Sequence, residues 1–191
     1  HPHSDESDPN SRIFDGCPVL KRVRDYARWR RLGPTALLMA TLARLSCHIS
    51  PNVQVDIGEG PGSLNLFVAV VGSSGARKSR TLSAAGKALR VSNPSTDFLI
   101  KTPGSGEGII SAYAPKTVFR KGEEEPRITP GATSVLWEES EVMNLSALKS
   151  RQGSTLQGFL TKLFTAEFLN VTNKDDGPTI EEGSYRAALI L

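Results

Sequence analysis

Lys78 and Ser79 stand near the end of the segment VVGSSGARKSRT, in which Gly72, Gly75 and the Lys-Ser pair have the types and spacing of a phosphate-binding loop. Glycines let a backbone turn its N–H groups inward toward an anion, and the helix that follows adds the partial positive charge of its first turn. Lys78 can then reach the β- and γ-phosphates of a triphosphate, and the Ser79 hydroxyl can ligate Mg²⁺. Residues Gly72, Ser73, Ser74, Gly75, Ala76, Arg77, Lys78, Ser79 and Arg80 are therefore the expected nucleotide-binding segment, with ATP and Mg²⁺ as cofactors. The match to GxxxxGK[ST] fails at one position. Arg77 stands where the second glycine is expected, a place that often takes backbone angles a Cβ disfavours. The alternative is a basic surface loop between a strand and a helix.

An ATPase of this kind needs a carboxylate at the end of a neighbouring strand to hold the Mg²⁺ shell, and another to position the attacking water. Glu138 and Glu139 follow TSVLW directly; Glu138, in place of the usual Asp, is the expected metal ligand beside Ser79. Glu139 and Glu107, the latter in PGSGEG, are rivals for activating water, and the residues alone leave that choice open. The other reading of Glu138, Glu139 and Glu141 is an acidic first turn of a helix, where carboxylates interact well with the dipole. Arg151 in KSRQGSTL and Arg186 in SYRAALIL are candidates for an arginine that stabilises developing charge, against the alternative of a solvated side chain. His1, His3 and His48 form no metal-like cluster.

These groups need elements to hold them. Residues 64–71 (LNLFVAVV) form a continuous apolar run that fits a strand buried on both faces, just before the loop, and residues 80–91 read as the helix after it. Residues 98–101, 133–137 and 185–191 are three further strands, and 53–57 alternates like a short one. Residues 109–114 and 155–168 read as helical, 58–63 and 170–178 as loops, and 116–130 as an exposed hairpin or loop. Strands alternating with helices imply an α/β fold with a mostly parallel sheet and helices on both faces. Before this core, 18–32 places Val19, Leu20, Val23, Tyr26 and Ala27 at helical spacing among Lys21, Arg22, Arg24, Arg28, Arg30 and Arg31, and 35–48 reads as a second helix after Gly33-Pro34. The expected organisation is a disordered polar tail over 1–15, a helical pair over 16–50 and the core over 51–191. Because the chain ends on the strand YRAALIL, a piece of a longer protein is expected.

Composition narrows the class. An apolar fraction of 38%, a charged fraction of 23% and a mean hydropathy of −0.24 fit a globular domain and exclude a membrane-spanning one. Cys17 and Cys47 have neither disulfide-framework nor zinc spacing, so a reducing cytoplasm is expected. A net charge of +3 permits an anionic partner without requiring one. Tyr26 and Trp29, interleaved with the arginines of the first helix, allow contact with a nucleic-acid backbone; a solvated amphipathic helix packed on the body is the competing reading.

In this order, RDYARWRRLGPTALL, GSLNLFVAVVGSSGARKS, PGSGEGI, ESEV, SRQGSTL and SYRAALIL resemble a family of actinobacterial and phage-associated P-loop proteins. That family is similar to the DUF3987 and primase-associated helicase-like ATPases of the RecA-like branch, and the resemblance covers residues 16–191. It implies a RecA-like core, ATP with Mg²⁺, and association with DNA in mobile elements or replication. Gly72, Gly75, Lys78 and Ser79 match its phosphate loop, Glu107 its GSGEG element, and Arg151 to Thr155 its RQGST segment. The functions to weigh are a DNA-linked ATPase working as a homo-oligomeric ring or filament, a non-catalytic nucleotide-binding or assembly module, and a small-molecule kinase.

Overall fold

The computed structural model describes residues 11–58, 60–72, 77–92, 94–118, 126–139, 144, 155–170 and 177–191. Helices α1 (Pro18–Trp29) and α2 (Pro34–Ser46) come first. Strands β1 (Gln54–Asp56) and β2 (Pro61–Ser63) form an antiparallel hairpin, followed by β3 (Leu66–Val68) and α3 (Lys78–Ala88). Then come β4 (Leu99–Lys101), α4 (Gly106–Tyr113), and the antiparallel pair β5 (Lys116–Val118) and β6 (Arg127–Thr129). The chain continues with β7 (Ser134–Glu138), α5 (Leu156–Thr165), the short pair β8 (Leu169–Asn170) and β9 (Thr179–Ile180), and β10 (Arg186–Ile190).

Four of the strands make one parallel sheet in the order β3-β10-β7-β4, with helices on both faces. The two-residue period of β7 and β10 decides which core each side chain joins. Val68, Leu136, Ala188 and Ile190 pack with Leu37, Leu38 and Ala40 of α2 and with Ala84 and Ala85 of α3. Val135, Trp137, Ala187 and Leu189 pack on the other face with Ile109 and Ile110 of α4 and with Leu156 and Leu163 of α5. A central strand covered on both sides favours apolar side chains on both faces, which is why 135–137 and 187–190 read as unbroken runs.

Both ends of the sheet depart from that pattern. The apolar run 64–71 yields only the three-residue β3, whose Leu66 and Phe67 are half-buried rather than enclosed, since among the described residues nothing pairs with its outer edge. Leu99 and Ile100 of β4 are 47% and 52% exposed for the same reason. The expected tail also begins to order early: Ser11–Asp15 forms a 3₁₀ turn and Phe14, only 2% exposed, joins the core beside α1 and α2. The segment 58–63, expected as a loop, contributes β2.

Helix ends explain the sharp changes of direction. Pro18 and Pro34 stand in the first turns of α1 and α2, where a missing N–H costs nothing. At the end of α1 the Leu32 N–H bonds Ala27 O and the Arg31 N–H bonds Arg28 O, each at 2.9 Å, with Arg31 at φ 57°. This is the paired-bond, left-handed helix terminus usually built on glycine. The α5 terminus repeats it with Ala166 at φ 61°. Gly106 opens α4 against α5, where a Cβ would collide with the ring of Phe159 and the hydroxyl of Thr155.

Candidate functional site

Because the four sheet strands are parallel, their carboxyl ends lie along one edge, and that edge is where open α/β sheets bind ligands. β3 leads into the segment expected to bind phosphate, β4 into Glu107, and β7 ends at Glu138 with Glu139 next. β10 separates β3 from β7, so the Lys-Ser pair and the acidic pair flank it from either side. Ser73, Ser74, Gly75, Ala76 and Arg151 lie outside the described residues, and Gly72 is the last described residue before the loop.

Arg77 takes φ 58° and ψ 32°, the left-handed conformation, immediately before α3 begins at Lys78. The departure from the motif therefore falls at a position whose backbone calls for glycine, and the arginine bears the cost of its Cβ there. Its side chain extends to the end of α1, where Nη1 donates to Arg31 O at 3.4 Å. The guanidinium thus meets the electronegative carbonyl end of a helix. Lys78 is half-buried and Ser79 and Arg80 are exposed, all in the first turn of α3. Among the described residues no hydrogen bond or ion pair engages the Lys78 ammonium.

The carboxylates have distinct surroundings. Glu138 is held by Arg44 of α2, Nη1 to Oε1 at 2.6 Å, with both side chains partly buried. Arg44 also lies over the ring of Phe98 at 5.6 Å, and a Cβ on Gly86 would come within 3.3 Å of its guanidinium. Glu139 is buried at 6% exposure; its N–H bonds Ile190 O at 3.0 Å, and Asn144 Nδ2 approaches its Oε1 at 3.5 Å. Glu107 is exposed in the first turn of α4, which Ser105 caps by accepting the Gly108 N–H at 3.0 Å. Glu107 so placed serves the helix dipole as well as any ligand.

Arg186 belongs elsewhere. It starts β10, at the opposite edge of the sheet from Glu138, and is fully buried. Its guanidinium donates to Ser50 O at 2.8 Å, Val53 O at 2.7 Å, Ile49 O at 3.3 Å, Ser63 Oγ at 2.9 Å and Asn65 Oδ1 at 3.4 Å. Burial lowers its pKa. The expectation of a charge-stabilising arginine is corrected: Arg186 ties the segment after α2 to the start of β10. Asn65 completes the tie, accepting the Ala187 N–H at 2.9 Å and donating to Leu163 O at 2.6 Å. Neither Arg44 nor Asn65 was singled out by sequence; an arginine in the apolar stretch ALLMATLARL was the only available signal.

A concavity of about 390 Å³ lies between the end of α1 and the start of α3, lined by Trp29, Arg30, Arg31, Leu32, Arg77 and Arg80. Among the described residues no group of three or more His, Cys, Asp or Glu side chains is arranged to hold a metal, and no helix is long and apolar enough to cross a membrane. Fold and site define a mixed α/β protein whose four-stranded parallel sheet carries a cationic strand-to-helix turn and an acidic strand end on one edge. Comparison with protein-family models and with curated proteins gives no match for the chain.

Proposed function

We propose that this chain is a nucleotide-binding protein of the P-loop type, in the RecA-like branch, with ATP and Mg²⁺ as ligands, acting in the cytoplasm as a helicase-like ATPase on DNA. One observation carries the nucleotide reading: the left-handed residue directly before Lys78 and Ser79, at the start of a helix on the carboxyl edge of a parallel sheet. A helix that begins at a lysine and a serine on this edge would offer an anion the N–H groups of its first turn together with the ammonium. The strand order adds support, since β10 alone lies between β3 and β7 and so brings the segment that leads to Lys78 and the strand that ends at Glu138 one strand apart on the carboxyl edge.

The residues present fit the ligand. Lys78 would hold the β- and γ-phosphates, while Ser79 Oγ and the Glu138 carboxylate would be the protein ligands of Mg²⁺, which needs few because phosphate and water supply the rest. Bound there, Mg²⁺ supplies charge neutralisation at the phosphates. Arg77 is drawn toward Arg31 O and so leaves the phosphates uncrowded. Buried Glu139, or exposed Glu107, would accept a proton from attacking water.

The Arg44–Glu138 ion pair favours a second reading, a module that binds nucleotide without turning it over, because the metal carboxylate is already satisfied. Binding of a fluorescent ATP analogue with Mg²⁺ tests the first claim. Lys78→Ala is expected to weaken binding at least about tenfold, or about 1.4 kcal/mol, and Arg77→Gly to retain it. Undiminished binding in Lys78→Ala would refute the site. Steady hydrolysis that is lost in Glu107→Gln or Glu139→Gln would eliminate the non-catalytic reading.

A further inference from the structure

The concavity between α1 and α3 is built from two elements distant in sequence. The terminus of α1 supplies Trp29, Arg30, Arg31 and Leu32, and the start of α3 supplies Arg77 and Arg80. Four arginines line one small space, and among the described residues no carboxylate lines it or pairs with any of the four. Like charges lining one small space repel one another, and two of the four arginines, Arg31 at the end of α1 and Arg77 before α3, also stand on left-handed backbone. An anion relieves the repulsion.

The ligand must also explain Trp29. The residue is 74% exposed, with the Arg30 guanidinium over its ring at 5.8 Å and the Tyr26 ring beside it at 6.0 Å. Arg22, Tyr26, Trp29 and Arg30 are spaced i, i+4, i+7 and i+8 on α1, a stripe about 12 Å long by the helical rise. A single phosphate needs no aromatic ring, and one nucleotide is shorter than stripe and concavity together. Two neighbouring aromatic rings flanked by arginines suit unpaired bases flanked by phosphates.

We propose that the concavity formed by Trp29, Arg30, Arg31, Arg77 and Arg80, with its extension along α1 to Arg22, is a binding site for single-stranded nucleic acid. An unpaired base stacks on Trp29, and the arginines take the flanking phosphates. The site stands on its own residues, whether or not the neighbouring loop holds ATP. Arg77 belongs to both, and this places the strand next to the nucleotide.

Fluorescence reports on it directly, because the chain has two tryptophans and Trp137 is buried at 1% exposure. Titration with oligo(dT) at low salt is expected to quench the Trp29 emission. Five arginine–phosphate contacts predict a slope of log K against log salt of about −3.5. In anisotropy with a labelled oligonucleotide, Arg30→Glu and Trp29→Ala are each expected to weaken binding at least about tenfold. Both side chains are exposed, so the fold is retained. The ATP analogue should still bind Arg30→Glu, and Lys78→Ala should still bind oligo(dT), so each site can fail without the other. Absence of quenching, unchanged affinity in Arg30→Glu, equal binding of duplex DNA, or full displacement of the oligonucleotide by ATP would each overturn the proposal, the last by assigning the concavity to the base of the nucleotide.

Discussion

Replacing Arg186 by methionine separates a structural arginine from a site arginine. The side chain makes five hydrogen bonds, so its removal strips five acceptors of a charged donor. They do not all suffer alike. Asn65 Oδ1 keeps the Ala187 N–H, Ser50 O keeps the Val53 N–H, and Ser63 Oγ keeps the Asn65 N–H. Ile49 O and Val53 O lose the donor that the structure gives them. Each carbonyl left unsatisfied costs about 1–3 kcal/mol. Methionine recovers part of this by sparing the desolvation of a buried charge. The net expectation is a loss of about 3 kcal/mol, a large share of a typical stability of about 5–15 kcal/mol. With a urea m-value near 2 kcal/mol/M, the midpoint should fall by roughly 1.5 M at unchanged m. The buried Trp137 reports the transition. A loss under about 1 kcal/mol would refute this accounting. If in addition ATP hydrolysis fell while the midpoint held, Arg186 would be a site residue after all.

Two further expectations concern ionisable groups. Desolvation pushes the Cys47 thiol from 9.0 up to about 11, a rise that hydrogen bonding with Ser134 and Ser46 only partly offsets. The folded state therefore holds its proton longer than the unfolded one. Stability is fully present below the unfolded value and is lost as pH rises through about 9 to 11, by on the order of 2 kcal/mol. Urea midpoints at about pH 8 and about pH 10.5 should show the drop, smaller in Cys47→Ala; an equal drop in both proteins would reject the assignment. For Arg44 and Glu138, a double-mutant cycle with Arg44→Gln and Glu138→Gln should return a coupling of about 1 kcal/mol, between surface and buried pairs. Zero coupling would mean that the 2.6 Å contact contributes nothing to stability.

Local chemistry was legible in the sequence. The strands near 98–101, 133–137 and 185–191 and the two N-terminal helices are where apolar periodicity places them, because a two- or 3.6-residue repeat is a property of neighbouring residues alone. The same holds for Lys78 and Ser79 at the start of α3 and for the oddity of Arg77, whose left-handed backbone is set by the strand-to-helix turn. Strand order was not legible. Backbone hydrogen bonds between strands are alike whatever the side chains, so nothing in YRAALIL announces that it lies between β3 and β7. The partners of long polar side chains were equally hidden. Arg186 and Arg151 looked alike as arginines, and only the packing of α2 and the β1–β2 hairpin around β10 turned Arg186 inward onto carbonyls more than a hundred residues away. Arg44 meets Glu138 across 94 residues for the same reason. A side chain's reach is a few ångströms, and which groups fall within it is decided when the helices settle on the sheet, a step that depends on the whole buried surface at once rather than on any one segment.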